Sequence, residues 1–189
     1  MDEIALLVSR LSDAQAAVRA SAAEQLYARG TELVAAVLNV WNQDPELKRL
    51  VAGPVTVGIA VEPERFVAIR AAWGNPPPAD VPQEQQTIEF EIHSGEARLD
   101  ILAPERDSAG SGPIDKFLAR HGEEIQQVEL ACSDVFRATQ ILFQLAEGAS
   151  APKPIYAEPR RGANGATVNF ILMPLKGGAK LLVELVQSA

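Results

Sequence analysis

The stretch Gly53-Pro54-Val55-Thr56-Val57-Gly58-Ile59-Ala60-Val61 divides the chain into two parts of different periodicity. Before it, apolar residues recur at helical spacing, and after it they alternate with a period of two, which is typical of a strand covered on one face. The Gly-Pro pair itself breaks either kind of element. We therefore predict a helical extension over residues 1–52 and a strand-rich domain over residues 53–189.

The helical pattern of the extension runs from Ile4 to about Trp41. Asp13 is a predicted cap and Gly30 a predicted stop, after which Thr31 begins a further helix. The segment between Asp13 and Gly30 resembles one HEAT-type repeat. A single repeat cannot bury its apolar face alone, so we expect these helices to pack on the second domain or on a partner subunit. A free-standing HEAT-like interaction module is the alternative.

The strand-rich domain contains two similar modules, at about residues 54–104 and 113–187, which indicates an internal duplication. The predicted fold class is α+β, with each module built around strands and helices in the same order. After the first strand, the predicted elements are a helix at Glu62–Trp73, strands at Thr87–His93 and Glu96–Leu102, a helix at Pro113–Leu118, a strand at Glu124–Cys132, a helix at Val135–Ala146, and strands at Lys153–Tyr156, Thr167–Leu172 and Lys180–Val186.

Charge and composition exclude several classes of partner. The net charge is −8 at pH 7, which opposes the basic surface that nucleic acids require. No apolar run is long enough to span a bilayer and no secretory signal is evident, so we expect a cytoplasmic protein. The single cysteine, Cys132, is interpreted as a buried apolar residue. Arg160-Arg161 is the only basic cluster of note, either solvated or a site for an anion.

Strand alternation predicts a polar face inside the domain. If Thr56 faces the interior, so do Gly58 and Ala60, and the neighbouring strands place further polar side chains on the same surface. Polar groups that converge in a cleft are costly unless they are paired or used. The alternatives are a ligand-binding cleft, an internal salt-bridge network around Arg98, and strands whose polar faces simply meet solvent. The predicted members of this face are Glu89, Glu91, His93, Arg98, Asp100, Gln127, Glu129 and Glu184.

A series of short motifs, in order over about 130 residues, resembles the vicinal-oxygen-chelate superfamily and, within it, methylmalonyl-CoA epimerase. The resemblance implies two βαβββ modules that form a curved sheet or open barrel. The motifs are Gly58-Ile59-Ala60-Val61, Leu99-Asp100-Ile101-Leu102-Ala103-Pro104, Ser111 to Leu118 followed by His121-Gly122, Glu158-Pro159-Arg160 with Gly162, Val168-Asn169-Phe170, and Leu182 to Gln187.

The resemblance also implies a divalent metal held by four side chains. These positions fall on Thr56, Asp100, Gln127 and Glu184. Threonine and glutamine replace two imidazoles, which supply much of the affinity of such sites for transition metals. We therefore expect either a weakly bound divalent cation such as Mg²⁺ or Ca²⁺, or no cofactor.

The function implied by the resemblance is proton transfer at an acidic carbon. The two acid-base carboxylates of the epimerases fall on Glu89 and Glu184. The remaining polar side chains are expected to bind the ligand: Glu91, His93, Arg98 and Glu129. One hypothesis is an epimerase-like or glyoxalase-like enzyme acting on a small acidic carbonyl compound or acyl thioester. The alternatives are a non-catalytic small-molecule-binding module and a protein-interaction scaffold. We expect a homodimer with a small-molecule ligand and without nucleic-acid or membrane partners.

Overall fold

The computed structural model describes residues 3–105, 110, 112–147, 153–174 and 180–189. Two short 3₁₀ turns lie at Gln83–Gln85 and Ala163–Gly165. The other elements are, in chain order, α1 (Glu3–Arg10), α2 (Ala16–Trp41), α3 (Pro45–Leu50), β1 (Val55–Ala60), α4 (Pro63–Ala72), β2 (Thr87–Ser94), β3 (Ala97–Pro104), α5 (Pro113–His121), β4 (Glu124–Ala131), α6 (Val135–Ala146), β5 (Arg160–Arg161), β6 (Thr167–Pro174) and β7 (Lys180–Gln187).

The chain forms two compact units, each made of two separate segments. Unit 1 comprises Met1–Gly30 and Thr56–Gln126, and unit 2 comprises Thr31–Val55 and Gln127–Ala189. Each unit therefore combines part of the N-terminal helices with one strand module. The assignment of residues 1–52 as a domain of their own stays a prediction.

In unit 1, β3 lies between an antiparallel partner, β2, and a parallel partner, β1. One face of these strands is apolar and packs against α4, where the ring of Phe66 meets that of Phe90 edge-on at 4.7 Å. The α1–α2 connection is fixed to α4 because the indole Nε1 of Trp73 donates to the carbonyl oxygen of Leu11 over 2.9 Å. Burial of this apolar face is the main stabilising contribution in the unit.

Gly30 does not end a helix, and this prediction was wrong. Helix α2 runs without interruption from Ala16 to Trp41, 26 residues in all, and Gly30 lies inside it. A Cβ atom at Gly30 would lie 2.4 Å from Cγ2 of Val57, far inside van der Waals contact. The glycine is thus explained by the close approach of α2 to β1, since tertiary packing overrides its low helix propensity.

In unit 2 the strand order is β4-β7-β6-β5, with β4 and β7 parallel and the other pairs antiparallel. Helix α6 packs on one face of these strands through Val135, Ala138, Thr139, Ile141 and Leu142. Its N-terminus is capped by Asp134, whose side chain accepts from the backbone N–H of Arg137. A second contact comes from Gln187, whose Oε1 accepts from the backbone N–H of Val135 over 3.0 Å.

Helix α3 is tied to α6 by a bidentate ion pair. Nε and Nη2 of Arg137 each donate to a carboxylate oxygen of Glu46 over 2.7 Å. The hydrogen bond from Arg137 lowers the pKa of Glu46 below its ordinary value. The same bond raises the pKa of Arg137.

The α+β class and the order of helices and strands agree with the prediction. The prediction of a strand at Lys153–Tyr156 was wrong, because these residues form a single isolated bridge, between Pro154 and Ile171. Proline has no backbone N–H, so it cannot continue a ladder. The strand that does pair with β6 at this edge is the two-residue β5.

Cys132 is buried in unit 2. Desolvation by burial raises the pKa of its thiol, which agrees with its interpretation as a buried apolar residue. Among the helices of the described ranges, none has the length and apolar character needed to cross a membrane.

Candidate functional site

The polar face predicted for the first module exists in unit 1. Glu91 lies opposite Asp100 and His93 opposite Arg98 in the β2–β3 pairing, while Glu89 lies opposite Leu102. Cross-strand partners share a face of the sheet. The register of β1 with β3 places Gly58 beside Asp100, so Thr56 joins this face by alternation, as predicted.

The side chains on this face differ in burial. Asp100 is 7% exposed, and Glu89 and Arg98 are half-buried. Glu91 and His93 are exposed, and Nε2 of His93 lies 2.8 Å from Oε1 of Glu91. The contact is an ion pair when the imidazole is protonated. Because exposed pairs contribute little to stability, these two side chains are available to a ligand at small cost.

Helix α5 covers one end of the same face. Ala60 and Leu102, which are register partners, form an apolar cluster with Ile114 and Leu118 of this helix, and Phe117 packs against them. The polar side chains of unit 1 are therefore bounded at one end by an apolar patch. Such a combination of apolar wall and few polar groups is typical of small-molecule sites.

The polar face of unit 2 is centred on a carboxamide between two carboxylates. Nε2 of Gln127 donates to Oε2 of Glu184 over 2.7 Å and to Oε1 of Glu129 over 3.1 Å. Glu129 and Glu184 are direct partners on the parallel strands β4 and β7. Two carboxylates placed side by side repel each other, and the two N–H bonds of the amide offset part of this repulsion.

Gln126 and Gln127, the adjacent glutamines of β4, have different roles. Gln127 is 6% exposed and its amide hydrogens are used. Within the residues that the structure describes, Oε1 of Gln126 is buried and accepts no hydrogen bond. Alternation along β4 explains the contrast, because the two side chains point to opposite faces.

A second cluster on unit 2 was not predicted from the sequence. The carboxamide of buried Asn169 donates to Oγ1 of Thr139 and to the carbonyl oxygen of Tyr156, and it accepts from the backbone N–H groups of Tyr156 and Phe170. The ring of Tyr156 packs edge-on against that of Phe170 at 6.2 Å. The guanidinium of Arg160 lies 4.7 Å from the centre of the Tyr156 ring. The Val168-Asn169-Phe170 motif was identified in the sequence, but the partners of Asn169 lie 13 and 30 positions away and could not be predicted from it.

The four positions predicted to hold a metal are divided between the units. Thr56 and Asp100 belong to unit 1, and Gln127 and Glu184 to unit 2. Within the part of the chain that the structure describes, no three His, Cys, Asp or Glu side chains cluster as a metal site would require. Gln127 also presents an N–H group, not its oxygen, to Glu184. Threonine hydroxyl and glutamine carbonyl oxygens are weaker ligands for a transition metal than imidazole or thiolate.

Comparison with solved structures finds proteins of similar fold. A crystal structure of methylmalonyl-CoA epimerase from Mycobacterium tuberculosis superposes with a TM-score of 0.59 and 28% sequence identity, covering 74% of this chain and 90% of the epimerase. The chain is similar in structure to methylmalonyl-CoA epimerases. These enzymes are members of the vicinal-oxygen-chelate superfamily, so the predicted resemblance is confirmed.

Two further epimerase structures contain ligands. One is a methylmalonyl-CoA epimerase in complex with methylmalonyl-CoA and NH₄⁺, with a TM-score of 0.53 and 27% identity over 71% of this chain and 92% of that one. The other is a Streptomyces coelicolor epimerase variant in complex with 2-nitronate-propionyl-CoA, with a TM-score of 0.54 and the same identity and coverage. No family model and no curated protein sequence matches the chain. The HEAT-like interpretation of the N-terminal helices stays a prediction.

Proposed function

We propose that the chain binds an acyl-CoA thioester with an acidic acyl group and exchanges the proton on its α-carbon. The proposal is supported by similarity to epimerases over about nine-tenths of their length, two of which hold acyl-CoA ligands. The observation that carries it is the retained carboxylate of Glu184, 9% exposed on the polar face of β7. A buried, hydrogen-bonded carboxylate is a suitable group for general acid-base chemistry.

Glu184 is the first proposed catalytic residue, and Glu89 is the second. Epimerisation requires one carboxylate to remove a proton and another to return it from the opposite face of the carbon. Glu89 is assigned by the resemblance and lies in unit 1 on the face that carries Asp100. Glu91, His93, Arg98 and Glu129 are proposed as ligand-binding side chains on the polar faces of their own units.

We propose that this chemistry proceeds without a transition metal. Thr56 and Gln127 stand where the resemblance expects imidazole ligands, and threonine and glutamine are weaker donors to a transition metal. The Gln127 amide donates to Oε2 of Glu184 over 2.7 Å instead. A neutral N–H donor stabilises a developing enolate less than a metal ion does. Turnover is therefore expected to be slow and insensitive to chelators, with at most a weakly bound Mg²⁺ or Ca²⁺.

The second candidate function is acyl-CoA binding without turnover. It is favoured by the same hydrogen bond, because the amide of Gln127 already occupies one oxygen of the carboxylate that would have to take the proton. In this alternative the polar faces recognise the ligand and no proton is exchanged. The predicted homodimer and cytoplasmic location apply equally to both candidates and are retained as part of the proposal.

The test is proton exchange in D₂O. Purified chain is incubated with methylmalonyl-CoA and excess EDTA, and loss of the α-proton signal is followed by NMR. We expect exchange above the spontaneous rate, abolished in Glu184→Gln and Glu89→Gln and unchanged in the exposed control Glu64→Gln. Isothermal titration distinguishes the candidates, since binding without exchange supports the second. Absence of binding contradicts both.

A further inference from the structure

The two arginines of β5 point to opposite faces of the unit 2 strands. Arg160 pairs with Val168, and Arg161 pairs with Thr167. In turn, β6 pairs with β7 so that Phe170 lies opposite Glu184. Because alternate residues share a face, Arg160 lies on the face of Phe170 and Glu184. Arg161 lies on the opposite face, which α6 covers.

The position of Arg160 is fixed by an aromatic support. Its guanidinium lies 4.7 Å from the centre of the Tyr156 ring, a geometry in which the ring attracts the cation. Tyr156 in turn packs against Phe170. Its backbone is held on both sides, since Asn169 accepts from its N–H over 3.3 Å and donates to its carbonyl oxygen over 3.0 Å. Arg160 is half-buried, whereas Arg161 is exposed.

The strand geometry sets the distance between Arg160 and Glu184. They are two strands apart and two residues out of register, which corresponds to about 12 Å between their Cα atoms. Both side chains project from the same face. A ligand bound beside Glu184 therefore lies on the face that carries Arg160.

We propose that Arg160, supported by Tyr156, binds the carboxylate of the ligand's acyl group and so selects dicarboxylic thioesters over simple ones. The inference deepens the proposed function and rests on it. The face in question carries Glu129 and Glu184, in a chain of net charge −8. An anionic acyl group is repelled by these carboxylates unless a cation is present to offset them, and the planar guanidinium matches a carboxylate through two parallel hydrogen bonds.

A phosphate of coenzyme A is the other anion that an arginine could recognise. The carboxylate is favoured because Arg160 shares its face with the proposed acid-base residue, so the group it binds is attached near the reacting carbon. The two sources are separable, since propionyl-CoA retains every phosphate and lacks the acyl carboxylate. If Arg160 binds the acyl carboxylate, replacing it changes the affinity for methylmalonyl-CoA and not that for propionyl-CoA.

The experiment measures the affinity of the full chain and two neighbouring variants for methylmalonyl-CoA and propionyl-CoA by isothermal titration. We expect Arg160→Gln to weaken methylmalonyl-CoA binding about 10- to 100-fold and to leave propionyl-CoA binding within about twofold. Arg161→Gln, the matched control on the opposite face, should change neither. Equal weakening of both thioesters by Arg160→Gln would assign it to phosphate and overturn the proposal.

Two tyrosine variants test the aromatic support without removing the charge. Tyr156→Phe keeps the ring and is expected to retain the preference for methylmalonyl-CoA. Tyr156→Leu removes the ring and should reduce that preference by several-fold, because the guanidinium loses its fixed position. Folding of each variant is checked by circular dichroism. A chain that binds neither thioester contradicts the proposed function, whereas thioester binding with identical behaviour of the two arginine variants contradicts this inference alone.

Discussion

Gln127 donates through Nε2 to Oε2 of Glu184 over 2.7 Å, although 57 positions separate the two residues in the sequence. Its second amide hydrogen is directed to Glu129, the strand partner of Glu184. One neutral side chain therefore holds two carboxylates that would otherwise repel each other. In the epimerase pattern this position belongs to an imidazole that ligates a metal, and here it serves hydrogen bonding between strands.

Replacing Gln127 by leucine tests this role. Loss of the donor leaves two carboxylates adjacent on a largely buried face, so we expect the free energy of unfolding to fall by about 2 kcal/mol at pH 7.5. Urea denaturation of the variant and of the unaltered chain measures this difference. Gln126→Leu is the control and should cost little, since Oε1 of Gln126 accepts no hydrogen bond from any described residue.

Among the polar residues of unit 2, Asn169 is predicted to be the one whose replacement lowers the free energy of unfolding most. It is 0% exposed, and Asn169→Leu leaves two backbone N–H groups and one carbonyl without their partner. We expect a loss of about 2 to 4 kcal/mol in urea denaturation. Thr139→Val removes a single hydrogen bond and should cost about 1 kcal/mol. Similar losses for both variants would show that the network around Tyr156 is not the cause.

Gly30→Ala is expected to destabilise the chain although alanine favours helices. The helix propensity gain is about 1 kcal/mol, but the new methyl group would lie 2.4 Å and 2.6 Å from the two γ-carbons of Val57. Overpacking of this kind costs about 1 to 3 kcal/mol. Thermal unfolding of Gly30→Ala, Val57→Ala and the double variant provides the measurement. The double variant should be more stable than the sum of the single effects predicts, because the smaller residue relieves the contact.

The ion pair between Glu46 and Arg137 should make stability depend on pH in the acid range. The Arg137 hydrogen bond lowers the pKa of Glu46 below its ordinary value of 4.5. The contribution of Glu46 is therefore complete above pH 4.5 and is lost as pH falls through the lowered folded-state pKa. We expect Glu46→Gln to lower the melting temperature at pH 7 and to have a smaller effect at pH 3.5. If the difference in melting temperature between Glu46→Gln and the unaltered chain stays constant with pH, the ion pair is not its cause. The single variants Glu46→Gln and Arg137→Gln and the double variant form a double-mutant cycle that measures the interaction energy.

Local patterns predicted most of the strands and one polar face. The alternation in β2 and β3 placed Glu91, His93, Arg98 and Asp100 on a common face, and the register confirms that placement. Such a prediction succeeds because side-chain direction in a strand is a property of neighbouring residues. The helices predicted at Glu62–Trp73 and Val135–Ala146 were found at Pro63–Ala72 and Val135–Ala146, because helical periodicity is likewise a local property.

The errors and omissions depend on residues distant in sequence. Gly30 has the local signature of a helix stop, and only the approach of Val57 explains it. The doublet Arg160-Arg161 gives no indication of which arginine faces Glu184, since that follows from the β5–β6 and β6–β7 registers. For the same reason, the resemblance placed Gln127 at a predicted metal-ligand position but could not predict that its amide donates to Glu184.

The division of each unit into two segments has a consequence for synthesis on the ribosome. Unit 1 has all its residues once Gln126 has emerged, whereas residues 31–55 of unit 2 are made before most of unit 1 and must wait for residues 127–189. Strand β7 lies between β4 and β6 and is the last strand described. Nascent unit 2 thus exposes two unpaired strand edges until β7 has been synthesised, and unpaired edges of this kind favour aggregation unless a chaperone protects them.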